Sequence, residues 1–532
     1  MNTFNRFAAL GLVFTAVACG GGSGGKAVLS PDDASGKKDR AGNMVAKAAA
    51  EGFNVAIDDF VAQDKSGSWS EATCDRVAKK FLAASSEQES VAGNKLPEAL
   101  YNSGLAYQRC GNDAKAKEQF EAAVATDSQF HRARAQIALY KFQQSGDVDS
   151  AIRELDQIIR DAKFQNVEGL VSLAALQMQR GGDTSGQGCS NDLSCAQLNL
   201  QRALAIDDSF MPAFNQLALY YLEQARNAAD KSKTRGKRKR GLEVSGSQKN
   251  QVNSQQLDLA ALVASQAQKK NPNYAPIHNT SGLILVELQN YNGAVKAFSK
   301  ARQLDPKFFE AHMNYAAVNL SFRGYGEAEK AYREALKLRP DTYEAQLGLA
   351  LAIRGQINPS NAKQYVEEAQ KALDAAKKLE GNRAEAYYNE AILSQEYRAK
   401  TSEDPVPAYE KAIGQYEAFI TKAGSDEAFA AAVKRSKERV QDIKDTLIFI
   451  KEGRELEKAQ AAADAQAKAD AEAAKKAEAE AAKQQAEADA AAKKAEANAA
   501  SAPAAGAAPA AGAAPAAGAA PAAGAAPAAP SK

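Results

Sequence analysis

Histidine occurs three times in this 532-residue chain, tryptophan once and cysteine five times. So few imidazoles and thiols leave little material for a metal centre or an acid–base dyad. No glycine-rich phosphate loop follows a strand pattern, and neither an HExxH pair nor a nucleophile elbow occurs. Those absences remove the usual signatures of nucleotide binding, zinc hydrolysis and acyl transfer. The sequence reads as a non-enzyme that needs no cofactor. An excess of either charge is missing too: 67 basic residues face 65 acidic ones, which argues against a nucleic-acid binder. No apolar run after residue 19 approaches membrane-spanning length. Large apolar residues end at Leu456, so the last stretch of chain has nothing with which to build a core.

What is present begins with a leader. Arg6 supplies a basic start, residues 8–17 a short apolar run, and Ala16-Val17-Ala18 a set of small residues before Cys19. The run is too short for a permanent membrane helix and reads as an export signal. Its ending resembles the lipobox of bacterial lipoproteins, with Ala16 in place of the commoner leucine. The resemblance implies that residues 1–18 are removed, that Cys19 becomes the first residue, and that acyl chains on it hold the protein at a membrane. A single chain binds only marginally, at roughly 0.8 kcal/mol per buried CH2, so several are expected. In such lipoproteins Gly20, standing where aspartate would retain the protein, implies sorting to the outer membrane. Residues 19–37, with Gly20-Gly21-Gly22-Ser23-Gly24-Gly25, read as a flexible tether. Export leaves Cys74, Cys110, Cys189 and Cys195 in an oxidising compartment, an even number of thiols. Three pairings are possible. Proximity favours Cys189 with Cys195, leaving Cys74 with Cys110.

The strongest structural signal is an internal repeat. Residues 290–306 (NYNGAVKAFSKARQLDP) align with 324–340 (GYGEAEKAYREALKLRP) at a constant offset of 34. Tyr291 falls on Tyr325, Ala294 on Ala328, Phe298 on Tyr332, Ala301 on Ala335, Leu304 on Leu338 and Pro306 on Pro340. This pattern resembles the tetratricopeptide repeat, which implies two antiparallel helices per unit and an all-α solenoid superhelix with helical caps. Alanines let the helices approach, the aromatic fills a hole in the neighbouring unit, and proline stops the second helix. The register covers residues 97–424 in about eight units, starting near 97, 132, 167, 211, 275, 309, 343 and 384. Residues 38–96 read as an N-terminal cap with helices over 44–61 and 71–84, and 425–456 as a closing amphipathic helix. On the repeat's register Cys74 lies near the start of a second helix and Cys110 ends the next first helix. Those ends meet, so a Cys74–Cys110 bond is expected to pin the cap.

Two inserts interrupt the array. Residues 182–195 hold the close cysteine pair among Gly182, Gly186 and Gly188, which suits a loop-closing disulfide. Residues 228–252 carry Lys231, Lys233, Arg235, Lys237, Arg238, Lys239 and Arg240. A self-repelling surface loop explains this basic patch, as does contact with an anionic envelope component. Beyond 456, residues 457–500 combine strong helix formers with no burying face and with acid-first i,i+4 pairs such as Glu472/Lys476. They read as a single solvated helix. Pro503, Pro509, Pro515, Pro521 and Pro527 then recur every six residues in PAAGAA units, so 501–532 reads as a disordered tail.

His278 and His312 stand 34 apart, at one repeat position on consecutive first helices. They are expected to fill a half-buried ring slot rather than hold a metal. The repeat family binds partners along its stacked first helices, at about the second, fifth and ninth positions of each unit. By that resemblance the groove comprises Glu98, Tyr101 and Leu105; Gln136 and Tyr140; Asn215 and Leu219; Asn279 and Leu283; Glu310 and Met313; Glu344 and Leu347; Glu385, Tyr388 and Ile392. About a third of them are expected only to pack the array. Glutamates rather than lysines here point to a partner segment with apolar anchors and some positive charge.

Anchor, array, solvated helix and Ala/Pro/Gly tail together resemble the tetratricopeptide lipoproteins of gliding motility, the GltE family. That resemblance implies a periplasm-facing outer-membrane protein that scaffolds other envelope proteins within a trans-envelope complex. An assembly or pilot lipoprotein for a secretin or barrel complex is the alternative.

Overall fold

An aspartate or asparagine ends four of the repeat units and shapes the corner that follows. In the computed structural model, which describes residues 34–66, 69–183, 188–236 and 247–499, Asp127, Asp207, Asn271 and Asp305 each stand three residues before an aromatic. The side-chain oxygen accepts from the amide two residues on, at 2.9–3.0 Å. The amides of Phe130, Phe210, Tyr274 and Phe308 return to the carbonyl of the same Asp or Asn at 3.0–3.4 Å. The corner thus satisfies backbone groups that two adjoining helix ends would leave bare.

These corners and their relatives separate eight helix hairpins. In order they are α3 (Pro97–Gln108) with α4 (Asp113–Thr126), α5 (His131–Ser145) with α6 (Val148–Asp161), and α7 (Val167–Arg180) with α8 (Asp192–Ile206). Next come α9 (Met211–Gly236) with α10 (Ser247–Lys270), α11 (Ala275–Glu287) with α12 (Tyr291–Leu304), and α13 (Phe309–Ser321) with α14 (Tyr325–Leu338). The last two are α15 (Tyr343–Gly355) with α16 (Ala362–Leu379), and α17 (Ala384–Leu393) with α19 (Val406–Ala423). A π-helical turn, Ser394–Arg398, and the short α18 (Ala399–Thr401) extend α17. Ahead of them stand α1 (Lys47–Ser66) and α2 (Glu71–Ala92). Second helices begin on side-chain caps, with Asn112, Asp147, Asn191 and Asn290 each accepting from the amide three residues on.

Glycine against an aromatic ring sets how closely the helices seat. A Cβ built on Gly104 would lie 2.6 Å from Phe120 Cε1, one on Gly282 2.4 Å from Phe298 Cε1, and one on Gly348 2.3 Å from Tyr332 Cζ. Real Cβ atoms do not approach so near, so only glycine admits these rings. The rings are buried, as are the alanine seams Ala116/Ala123, Ala294/Ala301 and Ala328/Ala335. The stack also winds: Lys307 Nζ donates to the Trp69 carbonyl at 3.1 Å, although 238 positions separate them.

Several boundaries differ from those read in the sequence. A two-stranded antiparallel hairpin, β1 (Ala34–Lys38) and β2 (Met44–Ala46), occupies part of the expected tether and cap. Gln88 of α2 fixes it, accepting from the Ala46 amide at 2.8 Å and donating to the Met44 carbonyl at 3.0 Å. The first cap helix starts at Lys47 rather than 44, and the second runs to Ala92 rather than 84, where Gly93 takes a left-handed φ of 72°. α8 begins at Asp192, so Cys195 belongs to a helix and not to the insert. α9 continues through Lys231, Lys233 and Arg235 to Gly236, where a loop was expected. The leader, Cys19, Lys237, Arg238, Lys239, Arg240 and the 501–532 tail lie outside the described residues.

The chain divides into one unit of residues 1–443 and another of 444–532. α20 (Ala430–Ala499) is a single helix with no break near 456, where two helices were expected to meet. At about 1.5 Å per residue it is on the order of 105 Å long. Within the second unit every described side chain from 455 to 497 is exposed, as a helix without an apolar stripe must be.

Candidate partner-binding face

First helices of successive units touch one another from α5 through α17, so their residues share one face. Amide contacts between units line it. Gln108 donates to Gln136 Oε1 at 3.1 Å, Thr280 to Asn215 Oδ1 at 2.7 Å, and Asn314 to Asn279 Oδ1 at 2.9 Å.

The expected groove residues divide by burial. Tyr101, Leu105, Gln136 and Tyr140 are buried, as are Asn215, Asn279 and Met313. Tyr101 packs between Phe120 and Phe130, with ring centroids 5.4 and 5.0 Å away, and Tyr140 donates to Asp113 Oδ1 at 3.1 Å. These side chains hold units together. Leu219, Leu283, Leu347, Tyr388 and Ile392 are half-buried and offer apolar surface. Glu98, Glu310, Glu344 and Glu385 are half-buried too.

The charge of those glutamates is largely neutralised inside the chain. Arg383 pairs with Glu344 at 2.5 Å and with Glu385 at 3.0 Å, and its guanidinium lies 3.9 Å from the centre of the Tyr343 ring. Arg339 pairs with Glu310 at 3.0 Å and covers the Phe309 ring at 4.2 Å. Arg132 pairs with Glu168 and covers Tyr101 at 5.3 Å. Burial works against the charge of Arg383, but its hydrogen bonds to Glu385 and Glu344 outweigh that and raise its pKa. Glu98 accepts from the Arg40 amide at 2.6 Å, and burial pushes its pKa up. The expectation of a positively charged partner segment is weakened, because Glu310, Glu344 and Glu385 already carry counter-ions and burial works against the charge of Glu98.

Two segments, 97–130 and 275–308, match the tetratricopeptide repeat family. Each covers one hairpin described above. The fold is that of a tetratricopeptide-repeat array. Among solved structures, the chain is similar to a thermophilic tetratricopeptide protein of Thermus thermophilus, with 20% identity over 42% of this chain and 99% of that one, at a TM-score of 0.34. It is similar to a tetratricopeptide protein of Parabacteroides merdae, with 16% identity over 58% and 99% of the two chains and a TM-score of 0.34. Pseudomonas aeruginosa pilF shows 15% identity over 51% and 96%, with a TM-score of 0.36. No curated protein matches the chain.

The tetratricopeptide register explains both histidines. His312 sits buried with Nε2 2.9 Å from the Pro306 carbonyl, while Arg302 Nε donates to its Nδ1 at 3.0 Å. One unit earlier His278 Nε2 lies 2.7 Å from the Pro272 carbonyl. Each ring thus donates from Nε2 to close the proline corner before its own helix. Burial holds the His312 pKa below its ordinary value, which suits that neutral donor. Among the described residues no cluster of three or more His, Cys, Asp or Glu side chains could hold a metal. The cysteines are bonded as Cys74–Cys110, with Cα atoms 6.4 Å apart, and Cys189–Cys195, at 5.0 Å.

One residue of this face escaped the sequence reading. Arg354 of α15 reaches Asn389 of α17, its Nη1 donating to Oδ1 at 2.8 Å. The expected groove positions stop at the ninth residue of each unit, and Arg354 lies beyond that, in the last turn of α15. Its Asn partner 35 residues on, one repeat away, was the available signal.

Proposed function

We propose that this protein is a lipid-anchored scaffold that faces the periplasm from the outer membrane and docks other envelope proteins within a trans-envelope complex, that of gliding motility. The observation that carries the docking role is the continuous face of first helices, on which apolar side chains such as Leu283, Leu347 and Tyr388 remain half-buried. Support for an exported setting comes from the small-residue site before Cys19 and from two cysteine pairs positioned to bond. The exposed stretch of α20 from 455 to 497 supports a spacer role, a property a trans-envelope part needs. Among the described residues no helix is long and apolar enough to cross a membrane, so the anchor proposed is the acylated Cys19.

Crosslinking the intact protein in its native envelope, followed by mass spectrometry, tests the role. Motor and surface-translocation subunits are the expected partners; secretin or barrel subunits would move the assignment to an assembly factor. Palmitate labelling that persists in Cys19→Ser would overturn the anchor.

A further inference from the structure

The turns of the fifth and sixth hairpins carry exposed apolar side chains. Leu288 caps α11 and Phe322 caps α13, 34 positions apart, and they stand 44% and 55% exposed. Each precedes a left-handed residue, Gln289 with a φ of 59° and Arg323 with a φ of 62°. That conformation stops the helix before another turn can cover the side chain. Tyr291 of the fifth hairpin lies against Phe322 of the sixth, with ring centroids 4.3 Å apart, so the two turns form one apolar edge. The caps of α3, α5 and α7 are Arg109, Gly146 and Gly181, and those turns offer no such surface.

The edge combines spare donors with carboxylates that are already paired. Glu287 is held by Arg226 and Glu327 by Lys330, both at 2.7 Å. The Arg323 side chain and the Tyr291 hydroxyl have no hydrogen-bond partner among the described residues. Rings with donors beside them suit proline rings and the bare carbonyls between them, the chemistry of polyproline II recognition. This chain contains a segment of that kind. Residues 501–532 hold Pro503, Pro509, Pro515, Pro521, Pro527 and Pro530, and no charged side chain before Lys532. Every interval is a multiple of three, so a helix of three residues per turn puts all six prolines on one edge. The alanines and glycines between them offer little apolar surface, which leaves proline as the group to recognise. The segment starts beyond the end of α20, about 84 Å past residue 443, and at about 3.1 Å per residue it spans only about 100 Å. A molecule's own tail would spend most of its length on returning, and a neighbour's need not.

We propose that the edge formed by Leu288, Tyr291 and Phe322 takes the proline-bearing segment 501–532 of a second copy of this chain. The edge lies at the ends of first helices, so the proposal stands apart from docking of envelope proteins along their face.

The probe is a synthetic 501–532 peptide with an N-terminal fluorophore, titrated with the full chain and followed by anisotropy. A twin of equal composition has alternate prolines moved by one residue, which breaks their common edge. The full chain is expected to bind the first peptide and to bind the twin about tenfold more weakly. Phe322→Ser and, separately, Leu288→Ser are expected to cost about tenfold or more in affinity with unchanged circular dichroism, the scale of burying one large apolar side chain. Sedimentation velocity of the full chain should show concentration-dependent association that excess peptide reverses. No binding of the peptide, equal binding of both peptides, or affinity unchanged in both variants overturns the proposal. So does a full chain that stays monomeric at concentrations above the peptide's Kd, the mark of a tail docked on its own molecule. Association that excess peptide leaves intact overturns it too, since copies would then meet through another surface.

Discussion

A single methyl group probes how the units seat. Gly282 has no room for a Cβ, because Phe298 occupies that place at 2.4 Å. Gly282→Ala must displace a fully buried ring, and overpacking of this kind costs about 1–3 kcal/mol. Urea unfolding is the measurement, with a lowered midpoint at an unchanged slope as the expected result. The same substitution at Gly453, where nothing lies within 4 Å of a built Cβ, is the control and should not destabilise. At this scale the sequence was readable for a simple reason. Alanines, rings and prolines recur every 34 residues because each packs against its own helix hairpin or the next. The arginine pairs do not announce themselves in that way. Arg132 and Glu168 stand 36 apart, Arg383 and Glu344 39 apart, so each pair joins two units. Reading one helix at a time shows glutamates on a groove and misses the arginines that cover them.

Between elements, charge ties α2 to α4. Asp75 accepts from Lys79 of its own helix at 2.6 Å and from Lys115 of α4 at 3.1 Å. Those hydrogen bonds hold its carboxyl at about 2, below the ordinary 3.8. A carboxyl depressed by folding adds stability above its unfolded pKa and loses it as pH falls through the folded one. The window for Asp75 therefore runs from about pH 4 down to about 2. A carbon-detected NMR titration should give its midpoint near 2 in the native protein, rising toward 3.8 in Lys115→Ala with Lys79→Ala; a native midpoint near the ordinary value would contradict the bridge. Element boundaries were the least legible part of the sequence. The hairpin β1–β2 was missed because its stability comes from Gln88, more than forty residues away, and not from any β-rich run. The helical continuation of α9 to Gly236 was missed because a cluster of like charges suits a loop by composition alone. By contrast the corners with Asp or Asn three residues before an aromatic stand openly in the sequence, and Asp426–Phe429 repeats the same pair of hydrogen bonds after the last unit. Proline, which shares some of them, is the more conspicuous signal and hides them.

At the scale of the molecule, eight hairpins present their first helices together and leave their second helices on the other side. Buried alanine and ring seams commit most of the apolar surface to the array, and the internal arginine–glutamate pairs neutralise much of its inner charge. What stays available is a modest apolar face of half-buried side chains such as Leu283, Leu347 and Tyr388, the surface on which docking is proposed. Photo-crosslinking in the native envelope tests this most directly. A benzophenone side chain is placed at Leu347, on a first helix, and separately at the exposed Lys371 on the second helix of the same unit. Partner adducts from position 347 and none from 371 are predicted. Adducts from 371 alone, or equal yields from both, would contradict the claim that the first helices form the receptor face.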